Sequence, residues 1–467
     1  MMIFDITHYG ALGDGTTDNA VALQKAIDAC SSAGGGIVRV GGKGTFLTGP
    51  FDLKSFVDLR IERGATLLAN PDESVYTRSA FRENRGEGSV WIGGEDTDRV
   101  TISGEGTIDG NGVAFMGPEE KPAFVLKEFD LFDRRPHILT AINFRNLAIR
   151  DVTFKDSAYW CLHLVGCTDV AISNVRINNN LKIRNSDGID LDHTRNVRIS
   201  GCIIESGDDC ICFKTRREYR EFGPTENVVV TDCTMMSTSC SVKLGSENMD
   251  AIRNVEVRDC IIRSSNRGIG IQNRDEGTVE NIRFENIAVE GRLFDDVWWG
   301  KAEPISITAF KRKPSAGKDA NVRFADGQTE GRVGEVRNVS FVNIACRSEN
   351  GVFVGGEQGK VSGVRFEGVR ITVEKTTGYA GGVYDLRPSD TVGLLPAGTC
   401  GFYLMDAGSV EIRNSSVRWG MNRDSSFGAA LHALRVNGLT VVDFAGESAF
   451  PDVEPMQLEN CTSVSLM

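Results

Sequence analysis

The chain has 467 residues, a formal net charge of −12 and an isoelectric point near 5.1. Apolar residues make up 40% of it and charged residues 25%, the balance of ordinary globular proteins that bury a sizeable core. Nucleic acids are polyanions, so this acidic chain is not expected to bind them, and an acidic polysaccharide would need cations placed locally at its binding site. No stretch approaches the roughly 20 consecutive apolar residues of a membrane-spanning helix.

The N-terminal region differs from the rest of the chain. The segment from Asp18 to Cys30 has apolar residues at helical spacing, and three glycines at 34–36 end the pattern. We expect a helix that caps one end of the fold, within a cap of about residues 1–50. The first residues contain neither a basic segment nor the roughly 7–15-residue apolar run of a signal peptide. We therefore expect a cytoplasmic protein, or a secreted one if a signal has been removed.

A short pattern of alternating apolar and polar residues recurs along most of the chain. It reads NVRISGCII from Asn196, NVEVRDCII from Asn254 and NIRFENIAV from Asn281, and most steps between copies are roughly 23–31 residues. Other copies begin at Asn146, Asp169, Asn227, Asn338, Gly363 and Ser409. Alternation at period two indicates half-buried strands, and one short unit can bury its apolar face only against neighbouring units.

The repeat therefore predicts a solenoid. Leucine-rich repeats share the spacing, but their Leu/Asn framework is absent, and a propeller blade needs about 40 residues. We predict an all-β fold, a single-stranded right-handed parallel β-helix, as one domain over residues 1–467. Long interruptions at about 110–140 and 292–335 are expected to form loops on one face, which in repeat proteins is often the binding face.

The 12 cysteines do not form CxxC pairs, which argues against a zinc ribbon. Cys167, Cys202, Cys233 and Cys260 recur at matching places in successive copies. We interpret them as a stack of buried thiols that act as small apolar residues, rather than as disulfides or metal ligands.

Two acidic turns lie between the copies at 169 and 227. Asp187 stands in NSDGIDLD, and Asp208 and Asp209 stand in GDDC, so Asp187 precedes Asp208 by 21 residues, close to one coil. We expect the turns on adjacent coils, about 4.8 Å apart. Carboxyls this close cannot all ionise readily, so one should keep its proton while another activates water, as glycoside hydrolysis requires. Plain Asx turns and a calcium site are the alternatives.

Further motifs accompany these turns. NSDG at 185–188 is similar to an N-T-D motif, and GDDC at 207–210 to a G/Q-D-D motif, in the matching order and spacing. Similarities elsewhere are YGALGDGTTD from Tyr9, GGGIV from Gly34, LKSFVDL from Leu53, GEGTIDG from Gly104, and Arg135-Pro136. Together they resemble glycoside hydrolase family 28, the polygalacturonase-like enzymes, over nearly the whole chain. The resemblance implies a pectin-lyase-like solenoid.

The resemblance also implies catalytic roles. Asp208 would be the general acid, and Asp187 and Asp209 would hold and deprotonate the attacking water. The reaction would be a single displacement with inversion at the anomeric carbon. The family is an exception to the wide carboxyl separation usually expected of inverting enzymes, so close aspartates do not argue for retention.

Two positions depart from the family pattern. Cys240 stands where the histidine of a G-H-G motif would be, and a thiol is poorly suited to keep the acid protonated. Gly270 and Gln272 stand where an R-I-K motif would supply an arginine and a lysine for a galacturonate carboxylate. We hypothesise that Lys243, with Lys214 or Arg274, supplies the positive charge instead. The alternative is a ladder of salt bridges, Lys243 with Asp190 and Lys214 with Asp192.

Other candidate substrate-binding residues are Asn185, Asp275, Trp299 and Glu303. Trp298 and Trp299 lie on the second long interruption, where an exposed indole could stack on a sugar ring, although paired tryptophans are more often part of a core. Trp160 and His163 precede the acidic turns, and we interpret His163 as a hydrogen-bonded core residue.

The sequence therefore favours an inverting hydrolase of α-linked, pectin-derived galacturonides, with exo action suggested by the long loops. The expected partner is an oligosaccharide or polysaccharide, without nucleic acid, membrane, cofactor or metal, and the sequence does not indicate an oligomeric state. Three alternatives stay open: an α-glycosidase of the same fold acting on a neutral or deoxy sugar of the rhamnogalacturonan type, a β-helix lyase or epimerase, and a non-catalytic carbohydrate-binding solenoid.

Overall fold

The computed structural model describes residues 2–82, 87–128, 133–313 and 331–467. The chain divides into two compact units, an N-terminal unit (Met1–Cys212) and a C-terminal unit (Phe213–Met467). In both, successive coils contribute short strands to parallel sheets, and the predicted right-handed parallel β-helix is confirmed. That the whole chain acts as one domain stays a prediction.

A helix occupies the start of the N-terminal unit, as predicted. It spans Ala20–Ser32, and its buried face, including Leu23 and Ile27, packs against strands Ile3–Asp5 and Gly36–Val40. The Asp18 carboxylate accepts a hydrogen bond from the Ala20 N–H at 2.8 Å, which satisfies a free donor of the first turn. The helix thereby covers apolar strand residues that would otherwise face water.

Each coil of the N-terminal unit supplies strands to three faces. The first face, which carries the acidic turns, contains Phe51–Asp52, Glu87–Glu95, Asp133–Ile142, Leu162–Val165, Ile189–Asp192 and Ile211–Thr215, the last of which contains the division between the units. The second face contains Ile3–Asp5, Gly36–Val40, Val57–Ile61, Thr101–Ser103, Arg145–Arg150, Thr168–Ser173 and Arg195–Ser200. The third contains Gly44–Thr48, Ala65–Ala69, Thr107–Asp109, Thr153–Lys155, Arg176–Asn178 and Ile203–Ser206.

The C-terminal unit repeats this arrangement. Its first face contains Cys240–Asn248, Arg267–Asn273, Glu303–Ala309, Val352–Gly356, Phe402–Met405, Leu431–Leu434 and Met456–Glu459. The second contains Thr225–Thr231, Ile252–Arg258, Val361–Glu367, Gly408–Arg413, Asn437–Val442 and Ser465–Leu466. The third contains Thr234–Ser237, Ile261–Ser265, Arg370–Val373, Ser416–Trp419 and Ala445–Gly446. Val279–Gly291 and Val336–Ser348 run through both of these faces.

The asparagine that begins many repeat copies has a structural explanation in the C-terminal unit. Asn227, Asn254, Asn281 and Asn338 all have φ between 54° and 58°, a left-handed conformation that asparagine tolerates better than most residues. Their side-chain amides form a ladder in which each donates to the preceding one, at 3.1, 3.2 and 2.7 Å. The repeated asparagine therefore supplies a left-handed residue near the start of its second-face strand and ties neighbouring coils together.

All twelve cysteines lie in the described part of the chain as free thiols, and every one except Cys461 is buried. The interpretation as buried thiols is confirmed, but their supposed equivalence is only partly right. Cys202, Cys233 and Cys260 each follow a second-face strand, whereas Cys167 follows a first-face strand. A Gly-Cys pair occurs at both kinds of turn, at Cys167 and at Cys202, so the local sequence does not distinguish them.

Several excursions lead from a third-face strand to the next first-face strand, and three of them bear on the candidate site. The first, between strands Thr107–Asp109 and Asp133–Ile142, contains an antiparallel pair, Glu119–Glu120 with Val125–Leu126. The second follows Gly291, and the third, at 374–401, was not predicted and contains the antiparallel pair Tyr384–Asp385 with Leu394–Leu395. Parts of the predicted interruptions, 129–132 and 314–330, lie outside the described residues.

The remaining helical elements are short 3₁₀ helices at Ile6–Tyr9, Glu73–Val75, Gly112–Phe115 and Arg217–Phe222. Within the ranges that the structure describes, no helix has both the length and the apolar character to cross a membrane.

Candidate active site

Two acidic turns of the N-terminal unit stand on successive coils, as predicted. Asp187 precedes the first-face strand Ile189–Asp192, and Asp208 and Asp209 precede the next strand of the same face. The Gly188 N–H donates to the Asp209 carbonyl at 2.8 Å, and the Ile189 N–H donates to the Cys210 carbonyl at 2.9 Å. The backbone ladder of the sheet thus extends into the turns and sets their spacing.

The three carboxyl groups meet at this place. Each of Asp187, Asp208 and Asp209 offers an oxygen that lies within 4.8 Å of the others. Asp187 and Asp209 are 2% and 1% exposed, whereas Asp208 is half-buried and presents the most accessible carboxyl. A cluster of this kind can combine a proton donor with carboxylates that polarise water, and its oxygens could also hold a hard cation.

The glycines of the two motifs allow the turns to pack closely. A Cβ on Gly188 would lie 2.5 Å from the Cys210 carbonyl oxygen, and one on Gly207 would lie 2.3 Å from the Ile183 carbonyl oxygen. Real side chains do not approach backbone atoms so closely. The turns can therefore touch only because both positions lack a side chain.

Neutral polar residues hold the Asp187 turn in place. The Ser186 hydroxyl donates to the Ile183 carbonyl at 2.8 Å and accepts the Gly207 N–H at 3.1 Å, which links the two turns directly. The buried Asn179 amide donates to the Ser186 carbonyl at 2.8 Å. The Asn185 N–H donates to Oδ2 of Asp208 at 3.2 Å, so Asn185 touches the cluster through its backbone.

Arg135 is a functional candidate that the sequence indicated only as part of a family motif. It is 4% exposed, and its guanidinium donates to the Arg184 carbonyl at 2.6 Å and to Oδ1 of Asn185 at 3.3 Å. A long-range contact of this kind leaves no local signal, because Arg135 precedes these residues by about two coils.

A second group of possible ligand atoms borders the first. Oxygens of Asp187 and Asp190 and the Cys212 sulfur lie within 4.8 Å of one another. In the sheet register Asp190 lies beside His163, and Nε2 of His163 is 3.2 Å from an Asp192 oxygen. His163 is fully buried, which confirms its interpretation as a hydrogen-bonded core residue. The possibility of calcium stays untested.

Aromatic residues cover the first face ahead of the acidic turns. Trp160 is 5% exposed and packs edge-on against Phe81 and His163, with ring centroids 5.2 and 4.8 Å apart. The His137 ring stacks on Tyr159 at 5.2 Å. This cluster buries Trp160, so it does not offer a free indole face.

In the C-terminal unit the paired tryptophans separate into two environments. Trp298 is 2% exposed, as expected for a core residue, whereas Trp299 is partly exposed. Nζ of Lys243 lies 5.4 Å from the centroid of the Trp299 ring, within the range of a cation–π contact. Lys243 is itself only 5% exposed, so the accessible part of this pair is the Trp299 ring.

Several cations of the C-terminal unit surround Glu247. Nζ of Lys214 is 3.4 Å and Arg216 is 3.9 Å from its carboxylate oxygens. Burial alone would raise the pKa of Glu247, but the positive charges around it, those of Lys214 first, hold this pKa well below its usual range. Glu247 is thus ionised and neutralises part of the local positive charge.

Other predicted binding residues take part in the internal packing of the C-terminal unit. Glu303 is fully buried, and its carboxylate accepts two hydrogen bonds from Arg267, both at 3.2 Å. Arg274 is fully buried too, and burial, aided by nearby Arg312, lowers its pKa to about 9. Asp275 pairs with Arg312 at 2.7 Å. We leave Glu303, Arg274 and Asp275 out of the proposed substrate surface.

The departures from the family motifs are adjacent in the structure. Lys243 pairs with Gly270 and Gly245 with Gln272 in the sheet register. Cys240 is 2% exposed, and a Cβ on Gly270 would lie 3.0 Å from its sulfur. Gln272 is 1% exposed. The thiol and Gly270 therefore fit each other sterically, and Gln272 is almost entirely covered.

Curated relatives are similar to most of this chain. A probable polygalacturonase from Vitis vinifera is 31% identical over 315 residues, which cover 63% of this chain and 61% of that protein. An exopolygalacturonase from Zea mays is 28% identical over 299 residues, covering 62% of this chain and 67% of that protein. The chain thus spans less than two thirds of the Vitis vinifera relative.

A solved structure supports the fold. The hyperthermoactive exopolygalacturonase from Thermotoga maritima aligns with a TM-score of 0.65 and 20% identity, over 88% of this chain and 91% of that one. The model of the family described as glycosyl hydrolases family 28 matches residues 30–383, a range that includes both acidic turns. The chain belongs to glycosyl hydrolases family 28.

Proposed function

We propose that this chain is a glycoside hydrolase that cleaves α-glycosidic bonds in pectin-derived galacturonides. The observation that carries the proposal is the meeting of three carboxyl groups, on Asp187, Asp208 and Asp209, within 4.8 Å of one another in a chain of family 28. The polygalacturonase names of the relatives support pectin as the source of the substrate.

The proposed reaction is a single displacement. Asp208, the most accessible of the three, donates its proton to the glycosidic oxygen as the bond to the anomeric carbon breaks. Because Oδ2 of Asp208 accepts the Asn185 N–H, the transferable proton belongs on Oδ1. Asp187 and Asp209 hold a water and take its proton as its oxygen attacks the anomeric carbon, which inverts the configuration there.

We infer exo action on short chains from the excursions of the C-terminal unit. Arg387 donates to the Trp298 carbonyl at 2.8 Å, and the Gly300 N–H donates to the Asp385 carboxylate at 2.7 Å. These bonds join the second and third excursions into one rigid edge beside Trp299. The exopolygalacturonase names of the Zea mays and Thermotoga maritima proteins support the same inference.

Lys243 and Trp299 are the proposed sugar-binding pair of the C-terminal unit. An indole face can stack on the apolar side of a pyranose ring, while an ammonium group beside it can attract a uronate carboxylate. Lys214 pairs with Glu247 at 3.4 Å, and Lys243 also helps to lower the pKa of Glu247, so we choose Lys243 for the charge contact because it lies beside the Trp299 ring. We propose no metal or other cofactor for the reaction.

A neutral or deoxy sugar is the second candidate substrate. It is favoured by Gly270 and Gln272, which carry no charge where the family pattern has cations, and by Glu247, which offsets part of the local positive charge. Such a substrate would use the same three aspartates, so the two candidates differ only in the sugar that is bound.

The test is reducing-end release from matched oligosaccharides: oligogalacturonides, rhamnogalacturonan fragments and neutral galactans. If the chain is a hydrolase, we expect new reducing ends without ultraviolet absorbance. We also expect kcat for Asp208→Asn to fall about 100-fold or more. The matched control is Asp232→Asn, which changes an exposed turn aspartate of the C-terminal unit. Full activity of Asp208→Asn, or an unsaturated product that absorbs in the ultraviolet, would reject the proposal.

Two further readouts test the finer statements. Proton NMR of the first-formed product should show the β-anomer, and retention of the α-configuration would exclude the single displacement. Product sizes at early times should be dominated by one short species, because an exo enzyme removes units from an end. A random ladder of sizes would overturn the exo inference and leave the hydrolase proposal standing.

A further inference from the structure

A single peptide unit connects a buried cation to the proposed acid in the N-terminal unit. The carbonyl of Arg184 accepts a hydrogen bond from Nη1 of Arg135 at 2.6 Å. The N–H of the same peptide unit, that of Asn185, donates to Oδ2 of Asp208 at 3.2 Å. The peptide is planar with its C=O and N–H in opposite directions, so one end faces the guanidinium and the other faces Asp208.

Arg135 holds this peptide from several sides. Nη1 also donates to the Ala158 carbonyl at 3.2 Å, and Nη2 donates to Oδ1 of Asn185 at 3.3 Å. The guanidinium carbon lies 4.8 Å from the centroid of the Tyr159 ring. Asn185 has a φ of 60°, a left-handed conformation that needs support from its surroundings. The planar guanidinium supplies that support through several hydrogen bonds at once, which a lysine could not do.

The electrostatic direction of this arrangement is clear. A cation on the carbonyl polarises the peptide and strengthens its N–H as a donor, because hydrogen bonds in a chain reinforce one another in a low-dielectric interior. Among the surrounding acidic groups, Glu128 has an oxygen 3.9 Å from Arg135 and 3.7 Å from Arg184. Asp187 and Asp209 face Asp208 itself. Arg135 therefore opposes the mutual repulsion that these two carboxylates impose on Asp208.

We propose that Arg135 is a positioning residue that acts on Asp208 through the peptide between Arg184 and Asn185. It fixes Oδ2 of Asp208 as an acceptor and keeps the transferable proton on Oδ1. The inference rests on the proposed function, since it needs Asp208 to be the acid.

The pH dependence gives a readout that a purely structural role would not move. Loss of Arg135 removes a stabilising influence on the Asp208 carboxylate, so the pKa of this acid rises. The acid then stays protonated to higher pH, and the alkaline limb of kcat/KM moves upward, by about one pH unit. We expect kcat for Arg135→Ala to fall about 100-fold at the optimum through misplacement of the acid.

Two variants keep the test independent of folding. Arg135→Lys retains the positive charge without the forked donor geometry of the guanidinium. Its kcat should fall about 10-fold, and the alkaline limb of its pH profile should shift less than that of Arg135→Ala. Guanidinium ion at non-denaturing concentration should restore part of the activity of Arg135→Ala and return the limb toward its original position. Arg195→Ala, which removes an exposed arginine of the N-terminal unit, is the control and should show no shift of the limb.

The outcomes separate the two proposals. An unmoved alkaline limb in folded Arg135→Ala, or equal rescue by sodium ion at the same ionic strength, would overturn the role of Arg135. Activity of Asp208→Asn equal to that of the unaltered protein would instead overturn the assignment of the acid.

Discussion

The amide of Gly188 donates to the carbonyl of Asp209 over 2.8 Å, so the two acidic turns are joined by a rung of the same ladder that joins their strands. Catalytic carboxyls on flexible loops would need other means to stay together. Here the side chains of Asp187 and Asp209 project from two backbone segments, and parallel strand pairing sets the distance between those segments. The geometry of the cluster therefore depends on close packing of two turns.

Gly188→Ala tests this dependence. The new Cβ would lie 2.5 Å from the Cys210 carbonyl oxygen, which belongs to the backbone and cannot rotate away. We expect kcat to fall about 100-fold because the turns must move apart, and thermal unfolding should show a lower midpoint. Gly378→Ala is the control, since nothing lies within 4 Å of its added Cβ. Equal activities of the two variants would contradict the packing argument.

Trp298 and Trp299 form a matched pair for substrate binding. Trp299→Ala should leave the unfolding midpoint nearly unchanged and raise KM, because it removes a partly exposed ring beside Lys243. Trp298→Ala should destabilise the protein by about 3–5 kcal/mol, because it empties a buried site. Steady-state kinetics and chemical denaturation separate the effects, and an unchanged KM for Trp299→Ala would remove it from the binding surface.

Glu303→Gln probes the buried pair that anchors the second excursion. The substitution removes the carboxylate that accepts two hydrogen bonds from the buried Arg267 guanidinium, which we expect to cost about 3–5 kcal/mol. Glu280→Gln breaks the exposed pair with Arg337 and should cost less than about 1 kcal/mol. Urea denaturation measures both. A small effect of Glu303→Gln would mean that other groups hold the excursion in place.

The pH dependence of stability should depend on Glu247. Its pKa is lower in the folded chain than in the unfolded one, so its contribution is present above the unfolded pKa, about 4.3, and is lost as the pH falls below that value. Glu247→Gln should therefore be less stable at neutral pH, with a difference that shrinks in acid. Glu454→Gln, at an exposed position, serves as the control. A constant difference across the acid range would show that Glu247 has no depressed pKa.

Thiol reactivity gives a check on the core. Burial raises the pKa of Cys167 and Cys346 to about 12, whereas Cys461 is the partly exposed thiol of the twelve in the described ranges. The folded protein should react with a thiol reagent at about one site, and the unfolded protein at all 12. Cys461→Ser should abolish the fast reaction. Rapid labelling of several thiols would show that the coils open more easily than the packing indicates.

Much of the fold could be predicted because its causes are local. Alternating residues predict strands, and the recurring asparagine marks the start of second-face strands, where Asn254 has a left-handed backbone and an amide hydrogen-bonded to Asn227. The acidic turns were predicted from their spacing of one coil, since parallel pairing converts that spacing into proximity.

The rest depends on contacts that the sequence order hides. Arg135 reaches Asn185 across 50 positions, and Glu303 meets Arg267 across 36 positions and Asp385 of the third excursion across 82. Charged residues near a predicted cleft look alike in the sequence whether they bind a substrate or each other. Burial separates them, and it places Glu303 and Arg274 in the interior while Trp299 stays accessible.

Because of the hydrogen bond between Gly188 and Asp209, enzymatic activity should depend sensitively on the integrity of these two turns alone. If that rung opens briefly, the acid and the water-holding carboxylates lose their common geometry while every other coil remains intact. Inactivation on warming should thus precede the bulk unfolding transition, and ligands that bridge the two turns should delay the first event far more than the second.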